Sequence, residues 1–266
     1  MRKTIDPEEI TYKKLVNKLK RIERKMIASV GAEFEGGICE HSLRFFKEQY
    51  DRSRLEIGWD GSVNVRKDDN IDCYWLGDVE IRYWSEDPAE LIQFAWDLWR
   101  LGFRQNRTCG NHLHFKFRNN ELAIMYLMRL ESVRYFQHLY AKKYKNNEKY
   151  LARFKSNYSR AIISFKDVLD NFDGNRYFSF NVLSYWENET FEIRLPPYTD
   201  SWIEWSEMLI FTIRALEYIL RPLAESNKIV LEIDDTKIVN MIDRINNNVN
   251  NKPNKPRIMI RRIIIE

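Results

Sequence analysis

Apolar and polar residues alternate with a period of two in several stretches of this chain, which is the signature of strands with one buried face. In 107–117, Leu113, Phe115 and Phe117 alternate with His112, His114 and Lys116, so both histidines and the lysine are expected on one face of a strand. Residues 27–35, closed by Gly36 and Gly37, predict a second strand with Glu33 and Glu35 on one face and Ala32 and Phe34 on the other. A third, 77–84, sets Glu80 and Arg82 against Val79, Ile81 and Tyr83. Residues 176–183 and 190–195 predict two more strands joined by a polar turn at 186–189. In the second of them Glu192 and Arg194 oppose Phe191, Ile193 and Leu195, and Pro196-Pro197 ends it.

Between these stretches the period lengthens to that of a helix. Helices are predicted over 7–27, started by Asp6-Pro7, and over 41–55, 88–101, 119–145, 200–224 and 234–246, with one or two more in 148–170 carrying Arg153 and Arg160. Asp60-Gly61 after Trp59 reads as a turn into a short strand at 63–65. Residues 246–254 form a polar linker, and the tail at 256–265 is open between an edge strand and a partner-binding segment. No repeat and no βαβ rhythm appears. The pattern is that of an α+β protein with a mainly antiparallel sheet and helices on its outer face, one domain over 1–245 with a basic tail over 246–266.

Composition narrows the classes. With 266 residues, 44% hydrophobic and 14% aromatic, the chain has enough apolar mass for a substantial core. Its net charge of +4 is that of the end of the chain, where Lys252, Lys255, Arg257, Arg261 and Arg262 face only Glu266. The balanced body argues against a broad nucleic-acid surface and leaves only the tail as a local one. Cys39, Cys73 and Cys109 are odd in number and have no CxxC spacing, so neither a zinc cluster nor a disulfide framework is expected, and a reducing compartment is the simpler assumption. No apolar run reaches the ~20 residues of a membrane span, and the N-terminus is too charged for a signal peptide. The expected location is the cytoplasm, or the host cytoplasm for a viral source.

Two of the four histidines on one strand suit a metal or phosphate role, or a structural pair. Adding the other strands sharpens this. Glu33, Glu35, Glu80, His112, His114, Glu192 and Arg194 each have apolar neighbours facing the opposite way, so one core behind the sheet would put all of them on one concave surface. Four carboxylates there cannot all stay ionised without cations. Oxygen ligands with an imidazole suit hard divalent ions such as Mg²⁺ or Mn²⁺, and arginines on the same surface suit an anion. The residues by themselves imply metal-dependent chemistry on a phosphorylated or carboxylated substrate; a solvated face of mixed ion pairs is the plainer alternative.

Six blocks in order, Gly31-Ala-Glu-Phe-Glu35, Trp59-Asp-Gly-Ser62, Val79-Glu-Ile-Arg82, Cys109-Gly-Asn-His-Leu-His114, Arg176-Tyr with Asn181, and Thr190-Phe-Glu-Ile-Arg194, resemble the amidoligase family, carboxylate–amine ligases related to the catalytic domain of glutamine synthetase. The resemblance covers roughly 29–205. It implies a curved antiparallel half-funnel binding ATP and Mg²⁺ or Mn²⁺, with Glu33, Glu35, Glu80, His112 and Glu192 as metal ligands. His114, with Lys116 on the same face, would lie nearer the nucleotide phosphates, and Arg176 and Arg194 would hold the γ-phosphate and the acyl phosphate. Asp60 and Ser62 match a block whose role is open, positioning of the amine being one assignment. The implied reaction joins small-molecule or peptide carboxylates and amines through an acyl phosphate, with oligomer state, amine source and acceptor left open.

There are departures. The family more often has a small or hydroxyl residue and then prolines after the third block's glutamate, whereas here Ile81-Arg-Tyr-Trp-Ser-Glu86 follows. Arg82 can pair with Glu80 and weaken a metal role. Two other readings therefore stand beside the ligase: a catalytically idle member of the fold that binds a partner, and a metal-dependent phosphotransferase of the guanidino-kinase type.

Overall fold

The computed structural model describes residues 6–67, 73–172 and 174–225. Six strands, β1 (Ile27–Cys39), β2 (Leu55–Trp59), β3 (Trp75–Ser85), β4 (Asn111–Phe117), β5 (Phe180–Asn181) and β6 (Phe191–Ile193), form a single sheet in the order β2-β3-β1-β4-β6-β5. Every neighbouring pair is antiparallel. The α+β class and the mainly antiparallel sheet expected from the pattern are both present.

The period-two alternation decides which face is dry. Val30, Ala32 and Phe34 of β1, Val79 and Ile81 of β3, Leu113 and Phe115 of β4, and Phe191 and Ile193 of β6 are all buried in one core. That core is closed by α1 (Pro7–Lys20), α3 (Pro88–Arg100) and α9 (Trp202–Glu225). Phe34 sits against Phe94 of α3 and Trp205 of α9, with ring centroids 5.6 and 4.7 Å apart. Burial of each such side chain stabilises the fold by roughly 1.5–3 kcal/mol. α1 and α3 begin as the sequence suggests: the Asp6 and Asp87 side chains accept the Glu8 and Ala89 amides, with proline at the first helical position.

The start of β1 is fixed by the last described helix. Glu217 of α9 is buried and its carboxylate accepts the backbone N–H groups of Lys25, Met26 and Ile27, the last at 2.9 Å. Three donors of an incoming strand are thereby satisfied by one side chain.

Several boundaries differ from expectation. The first helix stops at Lys20, and β1 runs on through Gly36 and Gly37 to Cys39. At Gly36 a Cβ would collide with the Phe103 ring, so the glycine is there for close packing and does not end the strand. The helix expected over 41–55 ends earlier, as α2 (Glu40–Gln49), and its last residue belongs to β2. Residues 63–65 are not a strand. The helix expected over 119–145 breaks into α4 (Asn120–Leu127) and α5 (Leu130–Lys143), while 148–170 holds α6 (Glu148–Phe154) and most of α7 (Phe165–Phe172). The expected turn at 186–189 lies mostly within α8 (Leu183–Asn188), with Glu189 in the left-handed conformation as its cap. The helix predicted over 234–246, the linker and the basic tail lie outside the described residues.

Cys39 and Cys73 form a disulfide, with Cα atoms 5.9 Å apart, which corrects the expectation that the cysteines would stay unpaired. Cys109 is a buried free thiol, pushed up to about 11 mainly by burial. No helix among the described residues is long and apolar enough to cross a membrane.

Candidate active site

The polar face of the sheet forms the floor of a hollow of about 700 Å³. The ladders line its groups up in transverse rows. Glu33 of β1 pairs with Arg82 of β3 on one side and His112 of β4 on the other; Glu35 pairs with Glu80; His114 pairs with Glu192, which pairs with Asn181. Side chains opposite one another in a ladder lie close enough to interact, so the register alone assembles the charged cluster. The hollow is lined by Glu33, Glu35, Asp60, Glu80, His112, His114, Lys116, Arg176, Glu192 and Arg194. Of the expected site residues, Ser62 alone does not line it. Ser62 is exposed and bonds Asp60 Oδ1 through both its amide and its hydroxyl, closing a tight turn. Lys116 and Arg176 lie toward the rim: Lys116 pairs with Glu189 at 2.5 Å, and Arg176 is exposed and leans over the Tyr177 ring.

One half of the cluster is held by fixed donors of the protein itself. Glu192 is buried, accepts from Arg194 Nη1 at 2.7 Å and from Asn181, and lies 3.2 Å from His112 Nδ1. Burial would raise its carboxyl, but Arg194 and the two histidines hold it below the usual range. Glu33 behaves alike: burial works upward, yet His114 and His112 keep it well below normal. His114 is raised in turn, since the Glu33 and Glu192 charges outweigh the burial that opposes its ionisation.

Arg153 of α6 was expected only as a helix residue, and its place here was not foreseen. Its Nη2 lies 3.0 Å from His112 Nε2, and its Nε donates to the Arg194 carbonyl. A guanidinium only donates, so His112 Nε2 accepts and the ring proton sits on Nδ1, aimed at Glu33 Oε2 2.7 Å away. In this arrangement His112 holds the two glutamates in place. It offers a cation Nδ1 only if Arg153 withdraws and the proton moves to Nε2, 3.5 Å from Glu35 Oε1. The one sequence trace of this contact is Gly110, where a Cβ would collide with the Arg153 guanidinium.

The other half is acidic. Glu35, Asp60 and Glu80 place ligand oxygens within 4.8 Å of one another, and Glu33, His112 and Glu192 form a second such set. Burial and the neighbouring charge of Glu33 push the Glu80 carboxyl up to about 7, with Arg82 pulling the other way and Glu35 and Asp60 adding to the rise. Arg82 reaches Glu33 Oε1 at 3.0 Å, Glu56 at 3.3 Å and Glu80. His114 Nε2 is buried 3.0 Å from Glu33 Oε1, too far off line for a hydrogen bond, and has no other hydrogen-bond partner among the described residues. On the far side of the ring, Nδ1 is 3.0 Å from Ser184 and 3.1 Å from Thr190, two hydroxyls that fix its orientation and that sequence reading did not single out.

These observations fit a divalent cation. Glu35, Asp60 and Glu80, an oxygen-rich trio in which the neighbouring charges help to raise the Glu80 carboxyl, are a donor set suited to Mg²⁺ or Mn²⁺. Glu35, Asp60 and Glu80 bring oxygens close enough to hold it, in competition with Arg82 at Glu80, and the set with His112 can do so once Arg153 lets go. No family model, curated protein or solved structure matches the chain, so any activity has to be drawn from the chemistry of this hollow and from the resemblance of its blocks.

Proposed function

We propose that this chain is an ATP- and Mg²⁺-dependent carboxylate–amine ligase, built on a half-funnel like that of the glutamine synthetase catalytic domain. The observation that carries the proposal is the convergence of two carboxylate sets, two imidazoles and Arg194 on one sheet face within a single hollow. The amidoligase-like order of the blocks bearing those residues supports it.

A carboxylate is a poor electrophile. In the proposed reaction its oxygen attacks the γ-phosphorus of ATP, ADP leaves, the amine nitrogen attacks the acyl carbon, and phosphate departs while the nitrogen loses a proton. Divalent cations held by Glu35, Asp60, Glu80 and by Glu33 with Glu192 would supply charge neutralisation for the phosphates. Arg194 and Arg176 stabilise charge on the transferring group; loss of one such donor typically costs on the order of 100-fold or more in rate. His114 and Lys116 face the nucleotide phosphates. Asp60 keeps Oδ2 clear of the Ser62 turn for the incoming amine.

A second reading is favoured by one observation. Arg82 already bridges Glu33 and Glu80, so a resident guanidinium can stand where a metal would, as in an idle member of the fold that binds a partner. Thermal unfolding separates the two: ATP with Mg²⁺ is expected to raise the melting temperature of the wild type and not of Glu33→Gln or Glu192→Gln. No rise in the wild type would leave the idle reading. Where the nucleotide binds, mass spectrometry after incubation with mixed carboxylates and amines should find condensation products and free phosphate; phosphorylated acceptors alone would mark a phosphotransferase.

A further inference from the structure

A second cluster of metal-type ligands lies at the end of β1, apart from the carboxylates of the hollow. Cys39 Sγ, Cys73 Sγ and one imidazole nitrogen of His41 lie within 4.8 Å of one another. Cys39 is buried, Cys73 half-buried and His41 exposed, and His41 makes no hydrogen bond to the described residues, so its ring is free to turn. The two sulfurs do not depend on their own bond to stay together. Cys39 is paired with Trp75 in the β1–β3 ladder, and the Glu40 amide donates to the Tyr74 carbonyl at 2.9 Å, so backbone hydrogen bonds flank both cysteines. Opening the disulfide would therefore leave two sulfurs side by side at the end of a formed ladder. Cys39 also occupies the N-cap position of α2, where the helix dipole favours a thiolate over a thiol.

We propose that Cys39, Cys73 and His41 form a thiolate site for zinc in the reduced chain, alternating with the disulfide in the oxidised one. Two thiolates and an imidazole are the ligands that a borderline-soft, tetrahedral ion selects, and the exposed side of the site leaves a fourth position to water. The interconversion balances. A dithiol supplies two electrons and two protons, its own sulfurs closing into a disulfide while the Cys39–Cys73 bond opens to two thiols. Zinc then binds the two sulfurs with release of both thiol protons to solvent. In either state the end of β1 is tied to the start of β3, by a covalent bond or by an ion. That tie lies four residues along β1 from Glu35, so it bears on the same two strands that pair Glu35 with Glu80.

The test uses Co²⁺ as a spectroscopic stand-in for zinc on the full chain, reduced with a phosphine and then freed of it. Thiolate-to-cobalt charge-transfer absorption should appear and saturate at one ion per chain, collapse when Zn²⁺ is added, and be missing from the unreduced chain and from Cys73→Ser. It should persist in Cys109→Ser and in Glu33→Gln, which separates it from cobalt held by carboxylates. His41→Ala changes an exposed residue and leaves both thiols, and should weaken cobalt binding at least about tenfold. Reduced wild type without the charge-transfer band, a band that survives in Cys73→Ser, or an unchanged affinity in His41→Ala would each overturn the proposal.

Discussion

The two halves of the hollow solve the same electrostatic problem differently. Around Glu192 and Glu33 the charge is balanced by the protein itself, with Arg194 and two imidazoles drawn in and Arg153 locking His112 from behind. Around Glu35, Asp60 and Glu80 the one guanidinium in an ion pair among the described residues is Arg82, at Glu80, and it is shared with Glu33 and Glu56, while Glu35 accepts the Gly110 amide at 2.5 Å. The carboxyls respond accordingly: Glu33 and Glu192 are depressed, while Glu80 climbs to about 7. A self-neutralised half is a finished structural element. The acidic half is less completely neutralised, and that is where we propose an exchangeable cation.

The largest effect should come from emptying the balanced half. Arg194→Met leaves Glu192 buried without its cation and is expected to cost about 3–5 kcal/mol in urea unfolding. Arg82→Met, acting on a half-exposed side chain in the other half, should cost only about 1 kcal/mol, and equal losses would erase the contrast.

Next in size is the response to pH. Glu80 and His114 both have folded-state affinities for protons above their unfolded values, so their stabilisation is complete at low pH and is lost as pH rises, for Glu80 through about 7. Without metal, stability should fall by roughly 1–2 kcal/mol between pH 5 and 8, after allowance for solvent screening of Glu80. Saturating Mg²⁺ should flatten that slope, because a bound cation favours the ionised carboxylate; a slope unchanged by Mg²⁺ would count against an exchangeable ion here.

The smallest effect is the most discriminating. Glu80→Gln removes one charge from a self-repelling trio and should change metal-free stability by less than about 1 kcal/mol, in the stabilising direction, while weakening the Mg²⁺-dependent rise in melting temperature. Glu192→Gln, which strands Arg194, should destabilise by about 1.5–3 kcal/mol.

What was legible in the sequence was whatever a period of two can carry. Glu33, Glu35, Glu80, His112, His114 and Glu192 were placed on one face because each alternates with apolar residues, and the ladders then brought those faces together. β2 was missed, its first residue being assigned to the helix before it, because Leu55 and Ile57 are only half-buried at the sheet edge and their alternation is weak. β5 is two residues long and too short to show a period. No glycine or proline marks the break at Met128 and Arg129 between α4 and α5. Arg153 meets His112 across 41 positions, and Cys39 meets Cys73 across 34; neither follows from local spacing, since only the folded sheet brings them together.

The Glu217 carboxylate under the first residues of β1 has a consequence for anyone cutting this chain. All the acids, imidazoles and arginines of the hollow come before residue 200, which invites a shorter version ending there. Such a fragment would carry every one of those groups and yet lack the peg on which their central strand hangs, so the stretch that supplies the hollow's side chains is shorter than the stretch that holds its sheet.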